Sequence, residues 1–333
     1  MTILEAPPVA RSLGDRITRV LVRWAPLGLI VGMCVYLALA TPFFFTVRNL
    51  SASLTQAAPV AVVAMALALV VVGGGDDAVT GGIDLSLPAT AALATVILSD
   101  QLVHGTSFAL ALLLAVAVAV VIGLANAILV GVVGLSSILA TLAMYVAVVG
   151  ITRFVSANKR IDVSDPTIQF VRDQRVFEVP VSVILMLVVL LVLTVVMRRT
   201  PYGVRLQAVG GNRSAAEAAG LRVNRYVMST FVIAGLLAGL ASVLLVARGS
   251  GSSPGIDERL LVDMVLATFL GAAFSRRGIV TVGGAALGAI FVALMANGLI
   301  LVRVDNSWVD GWKGLLILVV VAAAALRAKE TAS

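Results

Sequence analysis

Residues 107–132 read SFALALLLAVAVAVVIGLANAILVGV, a run without a single charged side chain. About 20 apolar residues carry an α-helix across the hydrocarbon of a bilayer. The run shows none of the alternation, in segments of about ten residues, that marks a membrane β-barrel. It is built from Ala, Val, Leu and Gly, and its small residues let neighbouring helices approach closely. Apart from Ser107 at its head, one polar side chain, Asn126, interrupts it. The segment reads as a membrane-spanning helix, and the class of the whole chain follows from how often it is repeated.

Applied outward, the same criterion finds spans at about 26–45, 57–74, 82–99, 107–132 and 136–155. A second group lies at 179–197, 226–247, 260–275, 279–302 and 312–327. The composition agrees: 60% of the 333 residues are hydrophobic, 12% are charged, and the mean hydropathy is +1.10. A soluble core needs far less apolar material. The expected fold is an all-α polytopic membrane protein of about ten transmembrane helices.

The net charge of +7 suggests a nucleic-acid partner only until its sources are located. Arg198, Arg199, Arg205, Arg213, Arg222 and Arg225 lie in one loop, 198–225, against one acid, Glu217. Basic loops report the cytoplasmic side of a membrane, so no nucleic-acid partner is expected. Alternation from that loop puts both termini in the cytoplasm. It also puts Arg11, Arg16, Arg19 and Arg23, the Arg276–Arg277 turn, and Arg327 with Lys329 on that side. The loop 156–178 comes out external. Residues 1–25 are then a cytoplasmic N-terminal segment, 26–327 a single transmembrane domain, and 328–333 a cytoplasmic tail. The basic lead and the Ala-Leu-Ala at 38–40 have the pattern of a cleavable leader, but nine further apolar segments favour a retained first span. Trp24, Trp308 and Trp312 fall at span ends, where aromatic rings anchor helices. His104 falls in a short external loop, and the single cysteine, Cys34, allows no internal disulfide.

Two halves of five spans have opposite orientations, the arithmetic of an inverted repeat. The tripeptide Gly-Ile-Asp recurs at 82–84 and 255–257, on opposite faces of this topology. The first copy ends the stretch GGGDDAVTGGIDLS at 73–86, where glycines would break a helix and three aspartates are costly in lipid. Asp76 and Asp77 are expected in a turn between spans. Asp84 is expected at the head of the third span, where free amides and the helix dipole stabilise a carboxylate. Polar side chains within spans face a cavity or an interface, which makes Asp84, Ser86, Asn126, Thr141 and Asn297 candidates for a translocation path. An interhelical hydrogen bond, worth about 1 kcal/mol, explains an isolated Asn or Thr equally well.

The loop 198–225 begins RRTPYGVRLQAVGGN, where Pro201 and two glycines predict turns, and continues SAAEAAGL. Ser214 with Glu217 three residues on matches a capping box, and Gly220 suits a helix stop. A short alanine-rich helix among arginines is either a solvated connection or a docking element for a cytoplasmic partner.

This loop resembles the coupling loop of sugar-type ABC importer permeases, the ribose, xylose, arabinose and galactofuranose group. Thr200, Gly203, Ala208, Gly210, Asn212, Ala215, Ala216 and Gly220 match its pattern, and Val204 stands where the family has arginine. GLLAGLAS at 235–242, TGGIDLS at 80–86, GLANAILV at 123–130, SSILATLAMYVAVVG at 136–150, NGLILV at 297–302 and Asp263 in LVDMVLATFLGA match in order. The chain departs at Leu87–Pro88 and at GAAFSRRGIV from Gly271, and GGGDDAV at 73–79 looks like an insertion. The resemblance implies a multi-pass permease of a bacterial cytoplasmic (inner) membrane that imports a small neutral solute, a monosaccharide above all. It implies a second permease subunit, identical or related, an extracytoplasmic solute-binding protein, and cytoplasmic ATPase subunits. Those ATPases would dock on Gly210, Asn212, Ala215, Ala216, Glu217, Ala218 and Gly220. The chain carries no P-loop motif, so ATP chemistry falls to another subunit, and no enzyme activity, cofactor or metal is expected. The alternatives are an ion-coupled secondary transporter, whose broken helices also carry aspartates, and a related permease for branched-chain amino acids or nucleosides.

Overall fold

The computed structural model describes residues 13–75, 82–275 and 278–332. Asp76, Asp77, Arg11 and the Arg276–Arg277 turn lie outside them, as do the side chains of Arg16, Arg19, Arg23, Trp24, Arg327 and Lys329.

Every expected span coincides with a helix. The first five are α1 (Leu13–Ala40), α2 (Val47–Gly74), α3 (Leu87–Val103), α4 (Phe108–Gly131) and α5 (Ser137–Val155). After α5 come a short strand, β1 (Ile161–Asp162), a short helix, α6 (Pro166–Asp173), and a hairpin of β2 (Arg175–Val176) and β3 (Val179–Pro180). Next are α7 (Val181–Arg199), α8 (Pro201–Gly211), α9 (Arg213–Ala218) and α10 (Val223–Gly249). The chain closes with β4 (Gly251–Ser252), paired to β1, then α11 (Ile256–Leu270), α12 (Val282–Leu301) and α13 (Asn306–Ala332). Among the described residues, six helices are long and apolar enough to cross a membrane: α2, α4, α5, α7, α10 and α12. Helix α3 and the stretch Leu27–Ala40 of α1 are apolar but shorter.

Several boundaries differ from the sequence expectation, residues 41–45 of the first span among them being non-helical, and two of the differences shape the site. Residues 82–86 are not helical, and α3 starts only at Leu87, with Pro88 in its first turn. A proline is favourable there because the first amides of a helix have no intrahelical partner. Residues 201–211, expected to turn, form helix α8. Pro201 opens it and the Thr200 hydroxyl caps it by accepting from the Gly203 amide.

Helices α2 and α10 are buried over most of their length, whereas α4, α5 and α7 show much of their apolar surface. In water an exposed face of that kind is an aggregation hazard, and in a bilayer it is the lipid or subunit contact. The pairing is regular. Helix α10 packs on α4 and α3, and α2 packs on α12 and α11; α3 contacts α4 and α5, and α11 contacts α12 and α13. Glycines set the closest approaches. A Cβ on Gly123 would stand 2.5 Å from the Phe231 carbonyl oxygen, and one on Gly235 2.5 Å from that of Ala119. Gly288 lies as tightly on the Ala267 carbonyl, and Gly271 on Gly284. Dispersion between backbones at this distance is what small residues contribute to helix association where no hydrophobic effect acts between spans.

The candidate translocation site and coupling element

The break before α3 is held by side chains from two other helices. Asp84 Oδ1 accepts from the Ser86 backbone amide at 2.9 Å and from the Ser86 hydroxyl at 2.6 Å. Asn126 of α4 donates to Ser86 Oγ at 2.7 Å and stands 3.4 Å from Asp84 Oδ2. From α5, Thr141 Oγ1 accepts from the Leu85 amide at 3.1 Å, and Ser137 Oγ accepts from the Ile83 amide at 3.2 Å. Amides that a continuous helix would satisfy internally thus find hydroxyl and carboxylate acceptors.

Four of the five path candidates, Asp84, Ser86, Asn126 and Thr141, therefore meet in one cluster, and each is at most 1% exposed. A buried carboxylate is tolerated only when well hydrogen-bonded, and Asp84 is. Asn126 Oδ1 is buried with no partner. Asn297 lies elsewhere: its Nδ2 donates to Ser53 Oγ of α2 at 2.8 Å. Gly82 is required for close approach, since a Cβ there would stand 2.6 Å from the Val70 carbonyl oxygen and 3.0 Å from Gly74 Cα.

At the same end of the bundle, α8 and α9 carry the residues expected to couple to an ATPase. Asn212, not Ser214, caps α9, accepting from the Ala215 amide at 2.9 Å, while the Ser214 hydroxyl donates to the Asn212 side chain. The reason is position: α9 begins at Arg213, so Ser214 is already inside its first turn. Glu217 pairs with Arg213 at 3.5 Å on the surface instead of closing a capping box. Gly220 takes the left-handed conformation, φ 81°, that ends the helix. Ala216 is buried, whereas Ala215, Glu217, Ala218 and Gly220 are exposed. Gly210 wedges α8 against the last turn of α2, where a Cβ would overlap the Val72 carbonyl oxygen. The Arg213 guanidinium donates to Asn224 Oδ1, and Asn224 donates to the Gly131 carbonyl at the end of α4.

Two polar contacts escape the sequence reading. Tyr145 of α5 donates to Asp257 Oδ2 at 2.8 Å, beside a small pocket of about 20 Å³. Lys313, 8% exposed, forms an ion pair with Asp263 at 2.9 Å, joining α13 to α11. The available signal was a lysine inside the tenth apolar span, which calls for a buried acid. Among the described residues no group of three or more His, Cys, Asp or Glu side chains is placed to hold a metal.

Residues 49–321 match the family model described as branched-chain amino acid transport system / permease component. The chain is 29% identical to the ribose import permease protein RbsC of Bacillus subtilis, over 89% of this chain and 90% of that protein. It is 30% identical to the galactofuranose transporter permease protein YtfT of Escherichia coli, over 74% and 71%. It is 31% identical to the fructose import permease protein FrcC of Rhizobium meliloti, over 84% and 78%. No solved structure is significantly similar to the chain.

Proposed function

Because the chain belongs to the branched-chain amino acid transport system permease component family, we propose that it is the permease subunit of an ABC importer for a monosaccharide. Relatives named for ribose, galactofuranose and fructose import, each matched over most of its length, support the solute class. The observation that carries the mechanism is the α8–α9 element. It presents Ala215, Glu217 and Ala218 to solvent while Gly210 seats it directly on the last turn of α2. A protein that pushed on α9 would move the end of α2, and with it the segment that bears Asp84.

In this reading ten helices, α1 to α5, α7 and α10 to α13, cross the cytoplasmic membrane of a bacterium, with both termini inside. The two groups of five are related as an inverted repeat, which the matched helix pairings and the two Gly-Ile-Asp copies support. Two ATPase subunits act on α9, a second permease subunit completes the path, and an extracytoplasmic binding protein delivers the sugar. Asp84, Ser86, Asn126 and Thr141 form a polar seal at the α8–α9 end of the path.

The test is the double substitution Glu217→Arg with Ala218→Arg, on the exposed face of α9. Expected is a normally inserted permease that no longer retains the ATPase in pull-downs and shows at least a tenfold loss of uptake. Normal ATPase retention removes the docking role. Uptake in proteoliposomes driven by an ion gradient, with neither ATP nor binding protein, overturns the importer reading.

A further inference from the structure

We propose that Asp257 and Asn297 are the gate pair at the α6 end of the bundle, the counterpart of Asp84 and Asn126 at the α8–α9 end. In the conformation described here Asp84 and Asn126 share one sealed cluster, whereas Asp257 and Asn297 are each bonded to another helix. The inference rests on the importer reading and adds to it which residues close the second end of the path.

The sequence repeats the elements of the first pair. Gly82-Ile83-Asp84 precedes α3 as Gly255-Ile256-Asp257 begins α11. An Ala-Asn pair followed by a small residue lies in the next long helix each time: Ala125-Asn126-Ala127 in α4 and Ala296-Asn297-Gly298 in α12. The separations from Asp to Asn are 42 and 40 residues. The packing register agrees. Gly288 faces Ala267 and Gly284 faces Gly271 across the antiparallel α11–α12 contact. Carried nine residues further along α12, that register brings Asn297 level with Glu258, the neighbour of Asp257.

Equivalent in position, the two pairs differ in what they bind. At the α8–α9 end Asn126 donates to Ser86 Oγ at 2.7 Å, with the Asp84 carboxylate at 3.4 Å, and all three side chains are sealed from solvent. At the α6 end the two side chains are turned to other helices. Asp257 accepts from Tyr145 of α5, and Asn297 donates to Ser53 of α2. A path that admits solute at one end must be closed at the other, and a pair with two sets of partners gives a gate two defined positions. Tyr145 and Ser53 supply the second set here. The closed pair keeps one buried acceptor, Asn126 Oδ1, without a partner, so opening it forfeits less than a fully satisfied network would.

The test uses the importer assembled with its ATPase and binding protein in proteoliposomes, with Cys34→Ala in the permease. One version carries Ser86→Cys with Asn126→Cys, the other Asp257→Cys with Asn297→Cys. With copper–phenanthroline added as oxidant and no nucleotide, the first pair should form its disulfide at least tenfold faster than the second, and trapping with ATP and vanadate should reverse the order. Spin labels at the exposed positions Glu258→Cys and Ile300→Cys, which leave the gate side chains intact, should approach by several ångströms on trapping. A nucleotide response at the Asp84 end with no change at the Asp257 end, by either method, overturns the gate assignment alone. No response at either end overturns the importer reading beneath it.

Discussion

Lys313 and Asp263 show how one buried charge fixes the identity of another. Their ion pair joins α13 to α11 with Lys313 almost fully buried, and a second acid, Asp310, stands 3.3 Å away, one helical turn earlier. Desolvating two charges costs about what their attraction returns, whereas removing one partner leaves the other uncompensated, at roughly 3–5 kcal/mol. Lys313→Met should therefore lower the unfolding midpoint in detergent substantially. Adding Asp263→Leu to Lys313→Met should recover most of that loss. A double variant as unstable as the single one would show that Asp263 answers to another partner. Sequence reading reached Asp263 through a motif and passed over Lys313, because pairing across helices depends on which faces α11 and α13 turn to each other. Asp84, Ser86, Asn126 and Thr141 were legible one by one, as polar groups in apolar spans. That they meet was not, since 42 residues separate Asp84 from Asn126 and only the folded bundle closes that distance.

Among the elements, the last turn of α2 has the most demanding neighbours. Gly210 of α8 lies on its Val72 carbonyl, Gly82 on its Val70 carbonyl, and its own Gly73 against Thr230 of α10 and Leu206 of α8. Here the solvent-facing α8–α9 pair and the segment bearing Asp84 touch the same turn of helix. Adjacent glycines separate packing from conformational freedom here. Gly210→Ala must push the Val72 carbonyl away, while a Cβ on Gly211 meets nothing within 4 Å. Overpacking costs about 1–3 kcal/mol, and a glycine-to-alanine change inside a helix returns about 1 kcal/mol or less. Gly210→Ala should then lower the thermal midpoint and reduce uptake per ATP hydrolysed, and Gly211→Ala should leave both unchanged or raise stability slightly. Equal behaviour of the two variants would remove the α2 contact from the coupling route. The same glycines explain why α8 was misread as turns: their helix-breaking tendency is a local cost of about 1 kcal/mol each. The Thr200 cap, the Pro201 start and the α2 contact outweigh it. The long helices needed no such context, because an uninterrupted apolar run has no other way to satisfy its backbone in lipid.

For the whole molecule, the arrangement of charge and exposure makes the topology testable without reference to transport. The arginines of 198–225 surround α8 and α9, and the mixed-charge loop 156–178 folds at the opposite end around α6 and the hairpin tip. At that tip Phe177 is 96% exposed. The positive-inside rule places the first region in the cytoplasm, and an odd number of spans between the two regions is required if they face opposite sides. With Cys34→Ala as background, Phe177→Cys should react with a membrane-impermeant maleimide on intact cells, and Ala218→Cys only after the membrane is opened. A reporter fused to the C-terminus should be active in its cytoplasmic form alone, because α11, α12 and α13 must then add three crossings to α10. Labelling of Ala218→Cys from outside would invert the bundle and remove α9 from reach of any cytoplasmic ATPase. An external C-terminus with Ala218 still protected would instead strike out one of the helices after α10, most directly α11, whose 15 residues are the fewest assigned to any crossing.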